Sequence, residues 1–491
     1  MKTKLSLIGL SLSATIAITT SSPALADKVV KEQPNVIYIL ADDLGYGEVG
    51  VYGQDKILTP NIDQLAKDGL RFTQHYSGST VCAPTRSTIL EGKHTGHSTV
   101  RGNWKTGKGR EQGNYPLPQD SRTIGHIFQE KGYATGIFGK WGLGGKSSTG
   151  HPAKQGFNVF SGYLDHKHAH NYYPDYIYRF GKEVELDNNV KVHGLGKKPS
   201  QDYKSYLGKE YVPDLMLEDA LTFINKQKSK PFFVYYPLTI PHVALQATEE
   251  SLKEYVGKFE EVGYTGKGYT PHQYPRAAHA AMVTHMDKHI GTLMAELKKL
   301  GLDDNTIVMF SSDNGPSVEG GYDNVFFDAS GGLRGRKRDL YEGGIRAPLI
   351  VKWPGVVKAN TVTGHISAQW DLMNTFAEIT GNQGNNDSNG VSFLPTLIGE
   401  SEKQPQHPHL YWEFWEGKGK QAVRMGDWKG VRLNVKKNPD AAIELYNLAQ
   451  DPSEQNNIAE KHPDIIKKMK LAMQDRTPSA RASWNPSSNK G

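Results

Sequence analysis

Short apolar segments that each end in polar residues recur along the chain. Four of them lie at residues 35–40, 133–138, 231–236 and 306–310, and they are rich in β-branched and aromatic residues. Nearly continuous hydrophobicity over that length predicts strands that are buried on both faces, as in a parallel sheet. Helices are predicted between them, because Thr59 and Pro60 mark one helix start and residues 277–300 carry apolar side chains at helical spacing.

Strands that alternate with helices predict an α/β domain, in which helices sandwich a mostly parallel or mixed central sheet. The C-terminal part of the chain differs, because it contains short antiparallel strands and an amphipathic helix from about Pro463 to Arg476. We therefore predict a smaller C-terminal α+β domain built on an antiparallel sheet. The predicted division assigns residues 27–385 to the first domain and 386–491 to the second, with the boundary in a polar Gly/Asn stretch.

Charged or polar residues follow each of the four predicted strands. Ligands bind at the carboxyl ends of the strands in an open α/β sheet. The side chains predicted at that edge are Asp42, Asp43, Lys140, His242, Asp313 and Asn314. A role in a turn would explain any one of these polar residues, but it poorly explains why polar residues follow all four predicted strands. Their carboxylate and amide oxygens favour a hard divalent cation such as Ca²⁺ or Mg²⁺ over Zn²⁺.

Composition narrows the class of protein. The 491 residues are 22% charged and 37% hydrophobic, with 52 Gly and 26 Pro, which excludes a coiled coil, a collagen and a disordered acidic chain. The formal net charge of +6 suits an anionic substrate, although only weakly. The sequence has no Lys/Arg block of the kind that binds nucleic acid, so we predict no nucleic-acid partner.

The first 26 residues are typical of a secretory signal peptide. Lys2 and Lys4 precede a mostly apolar stretch, and residues 24–26 form a small-residue cleavage site. The apolar stretch is short for a membrane span, so an N-terminal anchor is the weaker alternative. We predict export to the periplasm or the medium, without a transmembrane span.

Cys82 is the only cysteine of the chain, so no intramolecular disulfide can form. In an exported protein a single thiol is buried, paired with another chain or used chemically. Pro84 and the residues after it predict a helix N-terminus beside Cys82, and this end of a helix together with Arg86 favours an anion there. The residues alone leave two interpretations open, a buried free cysteine and a thiolate nucleophile.

The segment from Cys82 to Arg86 resembles the cysteine-x-proline-x-arginine signature of the type I, formylglycine-dependent sulfatases, a family of the alkaline phosphatase superfamily. The resemblance continues in order along nearly the whole mature chain. Further similar segments lie at residues 41–47, 59–63, 132–141, 312–315, 333–337, 341–346 and 444–454.

The resemblance implies a covalent mechanism. In this family the cysteine is oxidised to formylglycine (3-oxoalanine), and the aldehyde hydrate carries two hydroxyls on one carbon. One hydroxyl attacks sulfur and expels the alcohol, and the other loses its proton when sulfate departs. A serine or cysteine would stop at the enzyme ester. The predicted function is hydrolysis of sulfate esters, in particular those of polysaccharides with galactose- or hexosamine-type units. A formylglycine-generating or anaerobic maturase is the implied partner.

The resemblance also implies roles for individual residues. The ligands of one Ca²⁺ would be Asp42, Asp43, Cys82, Asp313 and Asn314. Arg86 would hold the hydrate, and Lys140 and Lys337 would bind the sulfate oxygens and neutralise charge in the transition state. His242 would contact the bridging oxygen and protonate the leaving alcohol.

One departure concerns the proton acceptor for sulfate release. Many family members have a histidine two residues after the strand-end lysine, where this chain has Gly142. Three alternating histidines are the candidates to replace it, and they also fit a transition-metal site or a half-exposed strand. Substrate contacts are predicted for Arg101, Asn103, His166, His168 and His170.

Two other classes of protein remain as alternatives. A phosphomonoesterase or phosphodiesterase of the same superfamily would share the fold, but it would normally need two transition metals, several His ligands and a Thr or Ser nucleophile. This chain lacks the Asp-His pairing expected at Asp313 in such an enzyme, because Asn314 and then Gly315 follow that residue. A non-catalytic sugar-binding relative is the second alternative, and the intact set of site residues argues against it.

Overall fold

A computed structural model describes residues 33–486. The signal peptide predicted for residues 1–26 therefore lies outside the described residues. Among the helices of residues 33–486, none is both long and apolar enough to cross a membrane.

Strands and helices alternate through the first three quarters of the chain, and strands dominate after residue 409. The strands are β1 (Asn35–Ala41), β2 (Leu70–Phe72), β3 (His75–Tyr76), β4 (Lys105–Thr106), β5 (Gly113–Asn114), β6 (Ala134–Lys140), β7 (Val159–Tyr163), β8 (Tyr176–Arg179), β9 (Lys182–Glu185), β10 (Phe232–Pro237), β11 (Thr306–Ser312), β12 (Leu349–Lys352), β13 (Thr361–Thr363), β14 (Ser367–Ala368), β15 (Leu410–Phe414), β16 (Lys420–Met425), β17 (Trp428–Leu433) and β18 (Ile443–Asn447). The α-helices are α1 (Pro60–Lys67), α2 (Cys82–Glu91), α3 (Ile124–Glu130), α4 (Val212–Gln227), α5 (Glu249–Lys253), α6 (Pro275–Lys299), α7 (Glu342–Ile345), α8 (Leu372–Thr380), α9 (Leu394–Leu397) and α10 (Pro463–Ala472).

The central sheet has ten strands in the order β13-β2-β12-β11-β1-β10-β6-β7-β8-β9. Its five middle strands, β11 to β7 in that order, are parallel, and antiparallel pairs follow on both sides. The four strands predicted from the apolar segments are β1, β6, β10 and β11, which are neighbours in the sheet. The predicted α/β class with a mixed central sheet is therefore confirmed.

The middle strands are hydrophobic along their whole length because both faces of the sheet are covered. All seven residues of β1 are buried. Ile37 packs with apolar side chains of α4 and α6 on one face, whereas its neighbour Val36 packs with those of α3 and α8 on the other. Successive side chains of a strand point to opposite faces, so this alternation places helices on both sides of the sheet.

The C-terminal strands β15 to β18 form a separate four-stranded antiparallel sheet, as predicted. One face packs on α10, where Met469 meets Tyr411 and Leu445. The other face packs on the first part of the chain, where Trp412 lies 5.3 Å from Tyr76 between ring centroids. Helix α10 ends at Ala472, a few residues before the predicted end. The division after residue 385 stays a prediction.

Candidate active site

Helix α2 begins at Cys82, so the predicted helix start beside the cysteine is confirmed. The preceding residue, Val81, is extended, and every residue of the helix is buried. The first turn is held by neighbouring segments, because the backbone N–H of Ala83 donates to Asn103 Oδ1 at 3.1 Å and Thr85 Oγ1 donates to the carbonyl oxygen of Asp313 at 2.8 Å. Cys82 is only 2% exposed at this helix end.

The carboxyl ends of β1 and β11 bring the predicted metal ligands together beside Cys82. Asp43 has a φ of +66°, and this turn lets the strand end direct both adjacent carboxylates into the site. The Asp43 N–H donates to Asp313 Oδ1 at 2.9 Å, and Asn314 Nδ2 donates to Asp43 Oδ1 at 2.8 Å. Cys82 Sγ lies 3.4 Å from Asp42 Oδ1.

Three cationic side chains are paired with these carboxylates. Lys140 Nζ donates to Asp42 Oδ2, and Lys337 Nζ donates to Asp43 Oδ2 at 2.6 Å. Arg86 Nη2 lies 3.6 Å from a carboxylate oxygen of Asp42 and 3.6 Å from one of Asp313. Lys337 Nζ is also 3.9 Å from Cys82 Sγ. The predicted catalytic lysines are therefore buried neighbours of the cysteine, and not surface lysines.

The oxygen atoms of the cluster fit a hard cation. Burial alone would raise the pKa of Asp42, but the charges of Lys140, Arg86 and Lys337 lower it, so the carboxyl is ionised. Asp313 Oδ2 and Asn314 Oδ1 are buried and have no hydrogen-bond partner among residues 33–486. Buried polar atoms without a partner are rare in native proteins. Two such oxygens beside ionised carboxylates match the ligand preference of Ca²⁺ or Mg²⁺.

The thiol of Cys82 is not activated in this environment. Burial, and then the charge of Asp42, raise the pKa of Cys82 to about 12, although Lys140 and Lys337 act in the opposite direction. The thiol is therefore protonated at neutral pH, and only a thiolate is an effective nucleophile. Burial and the charge of Asp42 therefore disfavour an ordinary thiolate nucleophile at Cys82.

His242 follows β10 and faces the same cluster. Its Nε2 lies 3.3 Å from Lys337 Nζ and 3.5 Å from Asp43 Oδ2, and its Nδ1 contacts the carbonyl oxygen of Val243. Burial outweighs the charge of Asp43 and, with the two lysines, keeps the pKa of His242 well below its usual value. The ring is therefore neutral. Because Nδ1 donates to a carbonyl, Nε2 carries the lone pair that accepts from Lys337.

The three alternating histidines are not equivalent in the structure. His170 stacks on His242 with 4.2 Å between ring centroids, so it borders the site. A Cβ on Gly142 would lie 3.9 Å from the Cβ of His166, which places His166 beside the position of the missing family histidine. His168 instead packs on Tyr176, 4.3 Å away. The half-exposed strand alternative is wrong, because His168–His170 is a 3₁₀ turn.

Two further residues extend the histidine cluster, and sequence analysis missed both. His193 Nε2 lies 3.2 Å from His170 Nδ1, and Tyr269 Oη lies 3.3 Å from the same nitrogen. Both come from irregular segments far from residue 170 in sequence, without a local motif. Only the tertiary structure shows that they border the site.

The prediction that Arg101 contacts substrate does not fit the structure. Arg101 is 2% exposed, and its Nη1 donates to Glu413 Oε1 and to the carbonyl oxygen of Thr477, each at 2.8 Å. Its charge is thus used to join the first part of the chain to the C-terminal sheet. Asn103 lies nearer to Cys82, but its Oδ1 already accepts the N–H of Ala83.

Replacing Arg101 by alanine should therefore reduce stability and not substrate affinity. The change leaves the carboxylate of Glu413 buried with one partner fewer, and we expect the free energy of unfolding to fall by about 3 kcal/mol. Arg476→Ala is the matched control, because Arg476 pairs with the same carboxylate at 2.7 Å from a more exposed position. Denaturant unfolding and steady-state kinetics check this. A raised KM with unchanged stability would show that Arg101 contacts substrate.

Comparison with known proteins agrees with this geometry. A family model described as Sulfatase matches residues 34–382, and one described as N-sulphoglucosamine sulphohydrolase, C-terminal, matches residues 335–478. An N-acetylgalactosamine-6-O-sulfatase of Bacteroides thetaiotaomicron is 30% identical over 505 residues, which cover 89% of this chain and 92% of that protein. Arylsulfatase A of Bos taurus is 30% identical over 482 residues, which cover 91% of this chain and 88% of that protein.

A solved structure is similar over the same length. The crystal structure of Ps i-CgsB in complex with k-i-k-neocarrahexaose has 28% sequence identity and a TM-score of 0.74. The match covers 91% of this chain and 94% of that chain.

Proposed function

This chain belongs to the sulfatase family, and from that membership we propose which ester it cleaves and what its site residues do. It is a sulfuric ester hydrolase, and the comparisons favour this activity over the phosphatase alternative. The observation that carries the proposal is the placement of Cys82, at the start of a buried helix, against Asp42 and Lys337.

The proposed substrate is a sulfated carbohydrate with galactose- or hexosamine-type units, as found in polysaccharides. Two relatives support this substrate class. One is named for 6-O-sulfated N-acetylgalactosamine, and the other was crystallised with an oligosaccharide, k-i-k-neocarrahexaose. His166 and His170, which border the site, are the proposed substrate contacts on the histidine side.

Members of this family generally use a formylglycine and a divalent metal ion. We propose that Cys82 is converted to formylglycine and that one Ca²⁺ is held by Asp42, Asp43, Asp313, Asn314 and residue 82. The unpartnered oxygens of Asp313 and Asn314 support the metal. When present, the formylglycine hydrate supplies the attacking hydroxyl and the ion polarises the sulfate oxygens.

Lys140 and Lys337 provide positive charge for the sulfate group when it binds. Although burial alone would lower the pKa of both side chains, Asp42 and Asp43 respectively raise it, so both are protonated. Each ammonium group is held in place by its carboxylate. Donors that are already oriented stabilise developing negative charge without having to reorganise during the reaction. Arg86 Nη2 lies between Asp42 and Asp313, 3.6 Å from a carboxylate oxygen of each.

We assign the proton for the leaving alcohol to the pair of Lys337 and His242. His242 alone does not carry a proton on Nε2, because Nδ1 donates to the Val243 carbonyl and the ring is neutral. Lys337 carries one, and its Nζ lies within 3.3 Å of that Nε2. Lys337 can donate its proton to the leaving alcohol and then be reprotonated through His242 Nε2. The two side chains therefore work as one acid–base unit.

His166 is better suited to donate a hydrogen bond than to replace the missing histidine as a base. The backbone N–H of His166 donates to Asn114 Oδ1 at 3.0 Å, which directs the Asn114 amide nitrogen to His166 Nδ1. Nδ1 therefore accepts, and the ring proton lies on Nε2. The lone pair of His242 Nε2 is the proposed proton acceptor for sulfate release.

We also propose that the protein is exported and that a formylglycine-generating or anaerobic maturase acts on it. The N-terminal 26 residues support export, and the segment from Cys82 to Arg86 supports the maturase.

A panel of defined sulfated mono- and disaccharides tests the proposed function. We expect release of sulfate from a galactose or hexosamine ester by the matured enzyme, loss of activity after chelation and recovery with Ca²⁺. Aryl sulfate serves as the reference substrate. Sulfate release from the aryl ester alone would refute the carbohydrate assignment, and phosphate release from matched phosphate esters at a higher kcat/KM would refute the sulfatase assignment.

A further inference from the structure

Apart from the cluster beside Cys82, a group of side chains of the types that bind metals lies on the helices that cover one face of the central sheet. His285 and His289 belong to α6, and Asp214 belongs to the first turn of α4. His285 Nε2 lies 2.6 Å from Asp214 Oδ1, and His289 Nε2 lies 2.8 Å from the same oxygen. Three ligand atoms from two helices thus converge within 4.8 Å of one another.

The spacing of the two histidines is that of a zinc-binding helix. Residues four apart lie on the same helix face, and a pair of histidines at this spacing can bind one zinc ion through both rings. The ring centroids of His285 and His289 are 4.5 Å apart. Helix α6 has 25 residues, so the two rings project from a long regular element.

We propose that His285 Nε2, His289 Nε2 and a carboxylate oxygen of Asp214 form a zinc site. Two imidazoles and one carboxylate are a common ligand set for Zn²⁺, whereas the all-oxygen cluster beside Cys82 suits Ca²⁺. The side chain of Asp214 is 51% exposed, so a fourth, tetrahedral position faces water. The site is independent of the proposed sulfatase chemistry, because none of its residues belongs to the active site.

A neighbouring hydroxyl orients one ligand. Ser251, in α5, places its Oγ 2.8 Å from His285 Nδ1, and it accepts a hydrogen bond from Thr248 Oγ1 at 2.9 Å. When His285 Nδ1–H donates to Ser251 Oγ, the lone pair of Nε2 is directed at the metal. Hydrogen bonds of this kind fix the tautomer of metal-binding histidines. The ion would therefore join α4 and α6 directly, and α5 through Ser251.

The Nε2 atoms of His285 and His289 both donate to Asp214 Oδ1 when no ion is bound. Zinc would take the place of these two protons, and each imidazole would then carry its proton on Nδ1. Neutral imidazole and carboxylate are the forms that bind metal.

Another group of histidines, around Asp475, has a different geometry and serves as a control for the Asp214 site. His94 Nε2 lies 3.3 Å and His409 Nε2 2.8 Å from Asp475 Oδ2, and His97 Nε2 lies 3.5 Å from Oδ1. However, the N–H of Gly96 donates to His94 Nδ1 at 3.1 Å. The His94 proton must then lie on Nε2, where it is donated to the carboxylate, so this ring has no lone pair for a metal there.

The test is zinc uptake by the full chain. The protein is stripped with a chelator, saturated with excess Ca²⁺ and dialysed against Zn²⁺, after which zinc per chain and the thermal midpoint are measured. We expect one zinc per chain and a raised midpoint. Co²⁺ in place of Zn²⁺ should give the intense visible absorption of a tetrahedral site.

The variants Asp214→Asn, His285→Gln and His289→Gln should each lose the bound zinc and the rise in midpoint. Asp214→Asn is decisive if a buried histidine variant fails to fold, because it is isosteric and half-exposed. Ser251→Ala should weaken zinc binding about tenfold. The control His97→Gln should keep the zinc. Absence of zinc uptake by the wild type, retention of zinc in Asp214→Asn or its loss in His97→Gln would each overturn the proposal.

Discussion

Replacing Cys82 by alanine is expected to abolish sulfate ester hydrolysis, with kcat lower by about 10⁴-fold or more, because the variant lacks the proposed precursor of the nucleophile. The fold should persist, since the change removes one sulfur atom from a small buried site and lowers the free energy of unfolding by about 1 kcal/mol. Steady-state kinetics checks the loss of kcat, and thermal or chemical unfolding checks the change in stability. Activity near that of the wild type would refute the assignment of residue 82.

Cys82→Ser is the matched control for the role of formylglycine. A serine can attack sulfur once, but it lacks the second hydroxyl that allows sulfate to leave. We therefore expect at most one turnover per chain and a serine sulfate ester that accumulates. Mass spectrometry of the tryptic peptide of residues 72–86 follows this ester, and in the active wild type it should show an aldehyde in place of the thiol. An unmodified thiol in fully active enzyme would contradict the proposal.

Replacing Lys337 by methionine should lower kcat by about 100- to 1,000-fold, because it removes a fixed charge from the sulfate site and the proton donor beside His242. Lys337 also lowers the pKa of His242, so this pKa should rise in the variant. The pH–rate profile should then show a new acidic limb, as His242 becomes protonated at a higher pH than in the wild type. The profile and kcat are measured on the same matured enzyme.

Lys429→Met separates chemistry from stability. Lys429 is as buried as Lys337, and its Nζ pairs with Glu342 at 2.9 Å and with Glu454 at 3.0 Å in the contact with the C-terminal sheet. Both variants leave buried carboxylates with one cationic partner fewer and should lose about 3 kcal/mol of stability. Only the Lys337 variant should lose kcat. An equal loss of kcat in both would mean that Lys337 acts through the fold alone.

The central sheet could be predicted from the sequence because its middle strands are buried on both faces. Continuous apolar segments at β1, β6, β10 and β11 mark such strands, and the polar residues after them mark the functional edge. Parallel neighbours bring their carboxyl ends together, so Asp42, Asp43, Asp313 and Asn314 meet without further information. The sequence could not show that Asp43 turns at a positive φ, which is the step that directs two adjacent carboxylates into one site.

The residues that surround the metal and cysteine cluster could not be predicted in the same way. The sequence predicts that Arg101 contacts substrate, but Glu413 of the C-terminal sheet lies opposite its guanidinium and pairs with it. His193 and Tyr269 join the site through long irregular segments, where neither periodicity nor a motif indicates position. Contacts of this kind depend on how distant parts of the chain pack, and a pattern of local residues does not contain that information.

The enclosure of helix α2 has a consequence for the proposed maturation of Cys82. Every residue of the helix is buried, and its first turn is held by Asn103 and by the strand end at Asp313. The proposed maturase would have to place the thiol of residue 82 in its own catalytic cleft, and the folded chain offers no extended segment there to bind. The proposed oxidation would therefore precede folding, and the rate at which β1 and β11 close over the cysteine would limit how much of the newly made protein becomes active.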